Sequence, residues 1–272
     1  MLINHVNYHV KVEGNGPPIL LLHGFTSNLH TWDELTNQLK ENYQVIRFDI
    51  IGHGQSDSPS QLMEYTIESQ AAVIKEILSN LQISKVPILG YSMGGRLAIS
   101  FACMYPNLVS SLLLESTTAG IEELNERLNR KKQDEQLAKK IATEGIEKFV
   151  DYWEGISLFT SLKKLPKEKL DYLRNQRLTN TQQGLMNSLL MMGTGSQPSW
   201  WEEIKNFHFP VLIIVGQEDQ KFCAIAKKLQ SKIKNARIEV INDVGHMIHV
   251  EKPQIFGTII EEFLNKNSQI ID

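Results

Sequence analysis

A chain of 272 residues with 42% hydrophobic content can bury one large core without splitting into independent domains, so one domain carrying an insertion is expected. A net charge of −3 and a pI near 6.3, with no long basic run, exclude the electrostatic footprint of a nucleic-acid binder and favour a small soluble substrate. Residues 1–12 lack the basic start and apolar core of a signal peptide, and no apolar run approaches the roughly 20 residues of a membrane span. Cys103 and Cys223 stand in apolar, helix-like stretches without metal-ligand spacing and read as buried reduced thiols, so a cytoplasmic protein is expected.

In chain order, β-branched apolar runs predict strands over residues 6–12, 18–22, 45–49, 86–90 and 111–115, most of them ending in glycine, aspartate or histidine. Between the third and fourth, apolar residues at 67, 71, 74, 77, 78 and 81 predict an amphipathic crossover helix laid on the sheet. From Gly120 to about Trp200 the strand-like runs vanish, and charged helical segments such as 122–141 and 167–177 take over. This reads as a helical lid over the carboxyl ends of the strands, with a separate helical domain as the alternative. Strands over 211–216 and 237–241 then return the chain to the sheet. The expected organisation is α/β: residues 1–119 and 201–272 build a mostly parallel sheet flanked by helices, and 120–200 form the lid.

The chemistry starts at Gly90-Tyr91-Ser92-Met93-Gly94-Gly95-Arg96, a Gly-x-Ser-x-Gly turn between a predicted strand and a predicted helix. The flanking glycines allow close backbone approach, and the turn presents the Ser92 hydroxyl to a pocket. Serine needs an imidazole to take its proton and a carboxylate to orient that imidazole. Asp219 and His246 follow the last two predicted strands, in the order serine, acid, histidine. Glu218 and Asp243 are rival acids. His249 is a rival base, expected in the first turn of the closing helix in a solvated or capping role. Backbone N–H groups of Phe25 and Met93 are the expected donors to a developing oxyanion, and His23 is expected to bond its loop rather than carry protons.

His23-Gly24-Phe25, Asp49-Ile50-Ile51-Gly52-His53-Gly54-Gln55-Ser56, Gly90 to Gly95 and Gly245-His246 together resemble the α/β-hydrolase family over the whole chain. Serine at 92 sets the chain apart from relatives with an aspartate nucleophile. Arg96 stands four residues after Ser92, where a small or apolar residue is usual; a buried guanidinium there needs either an anionic substrate or a nearby Asp or Glu.

Arg96, Leu114-Glu115-Ser116, Glu126 to Arg130, Asp151-Tyr152-Trp153, Leu158-Phe159 and Tyr172 to Arg177 narrow the resemblance to the 2-succinyl-6-hydroxy-2,4-cyclohexadiene-1-carboxylate synthases of menaquinone biosynthesis. That resemblance implies a pocket for a tricarboxylate, lined by Tyr91, Arg96, Arg130, Trp153 and Arg174, with Arg127 and Arg177 one helical turn away as alternatives. It also implies removal of a ring proton and expulsion of pyruvate in a 2,5-elimination without water. No metal or cofactor is expected, because the histidines lack a ligand cluster such as HExxH. A monomer or small homo-oligomer is expected. A serine carboxylesterase or carbon–carbon bond hydrolase, and a non-catalytic small-anion binder, are the other classes this sequence admits.

Overall fold

A computed structural model describes residues 1–268; residues 269–272, the end of the second expected core segment, lie outside the described residues. In chain order the strands are β1 (Leu2–Ile3), β2 (Val6–Asn7), β3 (Val10–Glu13), β4 (Pro18–Leu22), β5 (Gln44–Phe48), β6 (Val86–Tyr91), β7 (Val109–Glu115), β8 (Val211–Gly216) and β9 (Ala236–Ile241). The helices are α1 (Asp33–Leu39), α2 (Ile67–Asn80), α3 (Met93–Met104), α4 (Leu124–Gly155), α5 (Lys167–Leu178), α6 (Gln182–Met192), α7 (Gln220–Lys232), α8 (Ile248–Glu251) and α9 (Pro253–Ser268).

The main sheet has seven strands in the order β3-β5-β4-β6-β7-β8-β9, and only β3 runs antiparallel to its neighbour. Strand periodicity divides its side chains between two cores. Leu20, Leu22, Leu112, Leu114 and Ile213 pack on the face covered by α2, α3 and α7, whereas Ile19, Leu21, Leu113, Leu212 and Ile214 pack on the face covered by α1 and α9. Both faces are apolar because a parallel sheet is buried on both sides.

The expected strand over 6–12 is two short strands. Tyr8 and His9 leave the ladder because this segment is fastened to a loop: the Asn7 N–H donates to the Asp57 carboxylate at 2.7 Å and the His9 N–H to Ser56 Oγ at 2.9 Å. Both cysteines are free, and each is half-buried rather than fully buried, packed against the core from outside it on α3 and α7.

Between β7 and β8 the chain is helical. Helix α4 bends at Gly145, which has φ 82°, and packs against α6 around a small apolar core of its own that includes Ile141, Phe149, Val150, Leu185 and Leu189. These helices roof the carboxyl ends of β4, β6, β7 and β8, the end of a parallel sheet where ligands bind. Among the described residues, no helix is long and apolar enough to cross a membrane.

Candidate active site

Ser92 stands between β6 and α3 with φ 51° and ψ −106°, a left-handed conformation that a non-glycine residue adopts only when its surroundings enforce it. Here the enforcement is steric and polar together. A Cβ on Gly94 would lie 2.2 Å from the Leu22 carbonyl oxygen, and one on Gly90 would lie 2.4 Å from the Gly94 carbonyl oxygen, so β4, β6 and α3 approach as only glycine permits. The Ser92 N–H donates to the Glu115 carbonyl at 2.9 Å, and the Thr117 hydroxyl donates to the Ser92 carbonyl at 2.7 Å. The side chain is thereby turned toward the lid.

Three expected residues come together there. Ser92 Oγ lies 3.1 Å from His246 Nε2, and His246 Nδ1 lies 2.6 Å from Asp219 Oδ2. With Asp219 accepting the Nδ1 proton, Nε2 is left as the basic nitrogen facing Ser92. Asp219 also caps α7 through the Phe222 N–H at 3.3 Å, which fixes the carboxylate. The rival groups are engaged elsewhere. Glu218 pairs with Lys164 on the exposed side, and Asp243 occupies a left-handed turn position. His249 is not solvated and caps nothing: it is buried, with Nδ1 2.8 Å from the Glu115 carboxylate, because its short helix folds inward beneath Tyr91. His23 accepts the Ile50 N–H at 2.9 Å and donates to the Gly24 carbonyl at 2.8 Å, a structural arrangement in which burial holds the ring below the usual imidazole range.

Ser92 opens into a cavity of about 410 Å³. Its walls include Phe25, Tyr91, Met93, Arg96, Arg130, Trp153, Asp219 and His246, which covers nine of the expected site positions together with Ser92 itself. Met93 begins α3, so its N–H has no acceptor one turn earlier, and Phe25 follows β4 and lines the same cavity. These two positions can supply N–H donors to an oxygen bound beside Ser92.

The Arg96 guanidinium is buried and donates to two neutral groups, the Met192 carbonyl at 2.7 Å and the side chain of Gln197. Burial, followed by the nearby Arg130 charge, pushes Arg96 down to about 9. Among the described residues no carboxylate is hydrogen-bonded to this cation, and Asp134 acts on it through its charge alone. Arg130 differs, since its Nε donates to Asp134 at 2.8 Å, leaving the rest of a half-exposed guanidinium at the cavity wall. Among the described residues the Trp153 indole N–H has no hydrogen-bond partner, and the ring packs edge-on to Phe25 with centroids 5.4 Å apart.

Arg174, expected at the pocket, does not line this cavity. Its guanidinium is held by Asp151 at 2.7 Å and Glu154 at 2.9 Å, and it faces a separate groove between α4 and α5. Arg177, one turn on, is more deeply buried; it donates to Glu154 at 3.0 Å and lies over the Phe159 ring, beside Tyr91 and Phe25. Lys221, which no motif singles out, also lines the cavity. Its signal was legible: a cation in the first turn of α7 opposes the helix dipole, an arrangement that invites a functional reason. Among the described residues, no three His, Cys, Asp or Glu side chains are grouped so as to hold a metal ion.

Comparison with known proteins gives a consistent picture. Residues 17–253 match the family described as alpha/beta hydrolase fold. The chain is 44% identical over 261 residues to a putative 2-succinyl-6-hydroxy-2,4-cyclohexadiene-1-carboxylate synthase of Bacillus subtilis (strain 168), covering 95% of each. It is 27% identical to a 2-succinyl-6-hydroxy-2,4-cyclohexadiene-1-carboxylate synthase of Enterobacter sp. (strain 638), covering 91% of this chain and 92% of the relative. The solved structure of MenH from S. aureus superposes with a TM-score of 0.89 at 34% identity, covering 98% of this chain and 100% of that one.

Proposed function

Because the chain belongs to the alpha/beta hydrolase fold family, with relatives named as 2-succinyl-6-hydroxy-2,4-cyclohexadiene-1-carboxylate synthases, we propose that it is such a synthase, a carbon–oxygen lyase of menaquinone (vitamin K2) biosynthesis. Its substrate in this reading is 2-succinyl-5-enolpyruvyl-6-hydroxy-3-cyclohexene-1-carboxylate, which carries three carboxylates. The observation that carries the proposal is a base and a buried cation in one cavity: His246 beside Ser92, and Arg96, whose hydrogen bonds go to neutral groups and which no carboxylate among the described residues bonds directly.

The ring C2–H of the substrate is acidic because it lies beside the succinyl ketone. The Ser92–His246 pair takes that proton, and Asp219 holds the imidazole in the receptive tautomer and stabilises the cation that forms. The electron pair left at C2 is delocalised onto the ketone oxygen, where the N–H groups of Phe25 and Met93 can receive it. As the ketone reforms, the C2 electrons make the C2–C3 double bond, the C3–C4 double bond moves to C4–C5, and the C5–O bond breaks. Enolpyruvate leaves and ketonises to pyruvate, and no water is added. Arg96 and Arg130 hold carboxylates so that C2–H faces the base, a positioning effect worth several kcal/mol. Lys221 adds a third cation, and the Trp153 indole N–H a neutral donor.

An esterase could use the same Ser-His-Asp arrangement through an acyl-enzyme, but a neutral ester gains nothing from burying Arg96. The reading carries a cytoplasmic setting, since a trianionic intermediate made and used there does not cross a bilayer unaided. The test supplies the enolpyruvyl substrate and couples pyruvate to a dehydrogenase, alongside a panel of activated esters. Pyruvate should appear in equal amount with the conjugated diene, and the esters should turn over slowly. Rapid ester cleavage without pyruvate release would replace the synthase reading with the esterase.

A further inference from the structure

The two atoms that must meet, Ser92 Oγ and His246 Nε2, are carried by different loops, one after β6 and one after β9. Nothing in their own 3.1 Å contact fixes where those loops stand relative to each other. One residue at the end of β7 holds both. Glu115 accepts the Ser92 N–H on its main-chain oxygen at 2.9 Å. Its side-chain carboxylate accepts the main-chain N–H of His249, three residues after His246, at 3.1 Å, and the His249 ring through Nδ1 at 2.8 Å.

The pair is fully enclosed, with Glu115 0% and His249 4% exposed. In the tautomer that donates Nδ1–H to Glu115, His249 Nε2 accepts the Thr31 hydroxyl proton at 2.8 Å, so each polar atom of the ring is satisfied. The ring is further fixed against Trp32, with centroids 4.6 Å apart, and against Tyr91 at 4.8 Å. Tyr91 in turn touches the His246 ring, with centroids 5.4 Å apart, and directly precedes Ser92. A buried carboxylate is costly, and a well-packed apolar pair would join β7 to α8 as stably. What an apolar pair lacks is direction, because hydrogen bonds fix both angle and distance.

We propose that Glu115 and His249 are positioning residues: a second carboxylate–imidazole pair, parallel to Asp219–His246, that sets the separation of Ser92 and His246 for proton removal. The pair touches neither substrate nor reacting atoms. The proposal rests on the reading of Ser92–His246 as the base, and its test keeps the two apart.

The experiment compares wild type, Glu115→Gln, His249→Ala and His249→Asn for kcat, KM and Tm, and measures how fast a fluorophosphonate labels Ser92. In that labelling Ser92 Oγ bonds to phosphorus, fluoride leaves and the serine proton passes to His246, so its rate reports the Ser92–His246 geometry without the natural substrate. His249→Ala should lower kcat about 10- to 100-fold with KM changed less than about threefold, the pattern of displaced reacting groups. Labelling should slow by the same factor. His249→Asn, whose amide N–H can stand in for Nδ1–H, should recover most of both, and Glu115→Gln should fall between them.

A purely structural pair would lower Tm and leave kcat and labelling at wild-type values in the folded variants, which overturns the proposal. If His249→Ala does not fold, Glu115→Gln decides, and wild-type kcat and labelling in that variant overturns the proposal equally. Wild type that is not labelled at Ser92 would remove the parent reading and the positioning role together, whereas labelled wild type with equally fast variants removes the positioning role alone.

Discussion

Ser92→Ala and His246→Ala are each expected to lower kcat by about 10³-fold or more, the range seen when a nucleophile–base pair loses a member. The expectation follows from how the pair is built. Ser92 Oγ has His246 Nε2 as its hydrogen-bond partner at 3.1 Å, and His246 depends on Asp219 at 2.6 Å for its tautomer. Removing the hydroxyl strands the imidazole, and removing the imidazole leaves a hydroxyl that is a poor base at neutral pH. The double variant should be scarcely slower than either single one, because the residues act as a unit. Ser92→Ala keeps the Cβ, and the tight contacts of Gly90 and Gly94 are untouched, so its Tm should stay close to wild type. Single-turnover rates and thermal melts check both halves of the prediction. Near-wild-type turnover in either single variant would remove the pair from the chemistry.

Arg96→Ala should lower kcat/KM for the tricarboxylate by about 10²-fold or more, the cost of taking one partner from a buried charge pair. Rates on small neutral esters should change only a few-fold, because those substrates offer the guanidinium nothing. The contrast separates loss of an anion site from general damage to the cavity. A pH signature accompanies it. Burial, then the Arg130 charge, pushes Arg96 down to about 9, so the cation is present below that pH and is lost as pH rises through it. In wild type kcat/KM should therefore fall above about pH 9, and Arg96→Ala should lack that limb. The linkage to stability has the opposite sense. A base whose folded value lies below its unfolded one costs stability while it must stay charged, and the cost is relieved as pH rises beyond about 9. A bound carboxylate offsets the same cost, so the corresponding limb of kcat, which reports the substrate complex, should lie at higher pH than that of kcat/KM.

Most of the scaffold was legible because its signals are local. The runs 18–22 and 211–216 match β4 and β8 in both bounds, and the helix expected over 67–81 is α2 to within one residue, since each buries an uninterrupted apolar face. The strand expected over 6–12 failed because what breaks it is distant in sequence: Ser56 and Asp57 take N–H groups that a ladder would otherwise use. The meeting of Ser92, Asp219 and His246 was readable because strand ends in a parallel sheet converge on one edge.

The lid was less readable. Arg174 and Arg177 lie on one face of α5, and which of them turns inward depends on how Asp151 and Glu154 on α4 pack against it, a tertiary fact that helical spacing does not contain. His249 is buried against expectation for a related reason. A histidine in a short terminal helix has no local mark of burial, and its partner Glu115 is 134 residues away.

The reaction assigned to this cavity stands most directly on the fate of one hydrogen. With deuterium at ring C2 of the enolpyruvyl substrate, the wild-type enzyme should release pyruvate more slowly than with hydrogen, and the ring product should carry no deuterium, all of it having passed through the Ser92–His246 pair to solvent. Pyruvate released at an undiminished rate, from a ring that keeps its deuterium and gains a hydroxyl from water, would contradict elimination and make the enzyme a hydrolase.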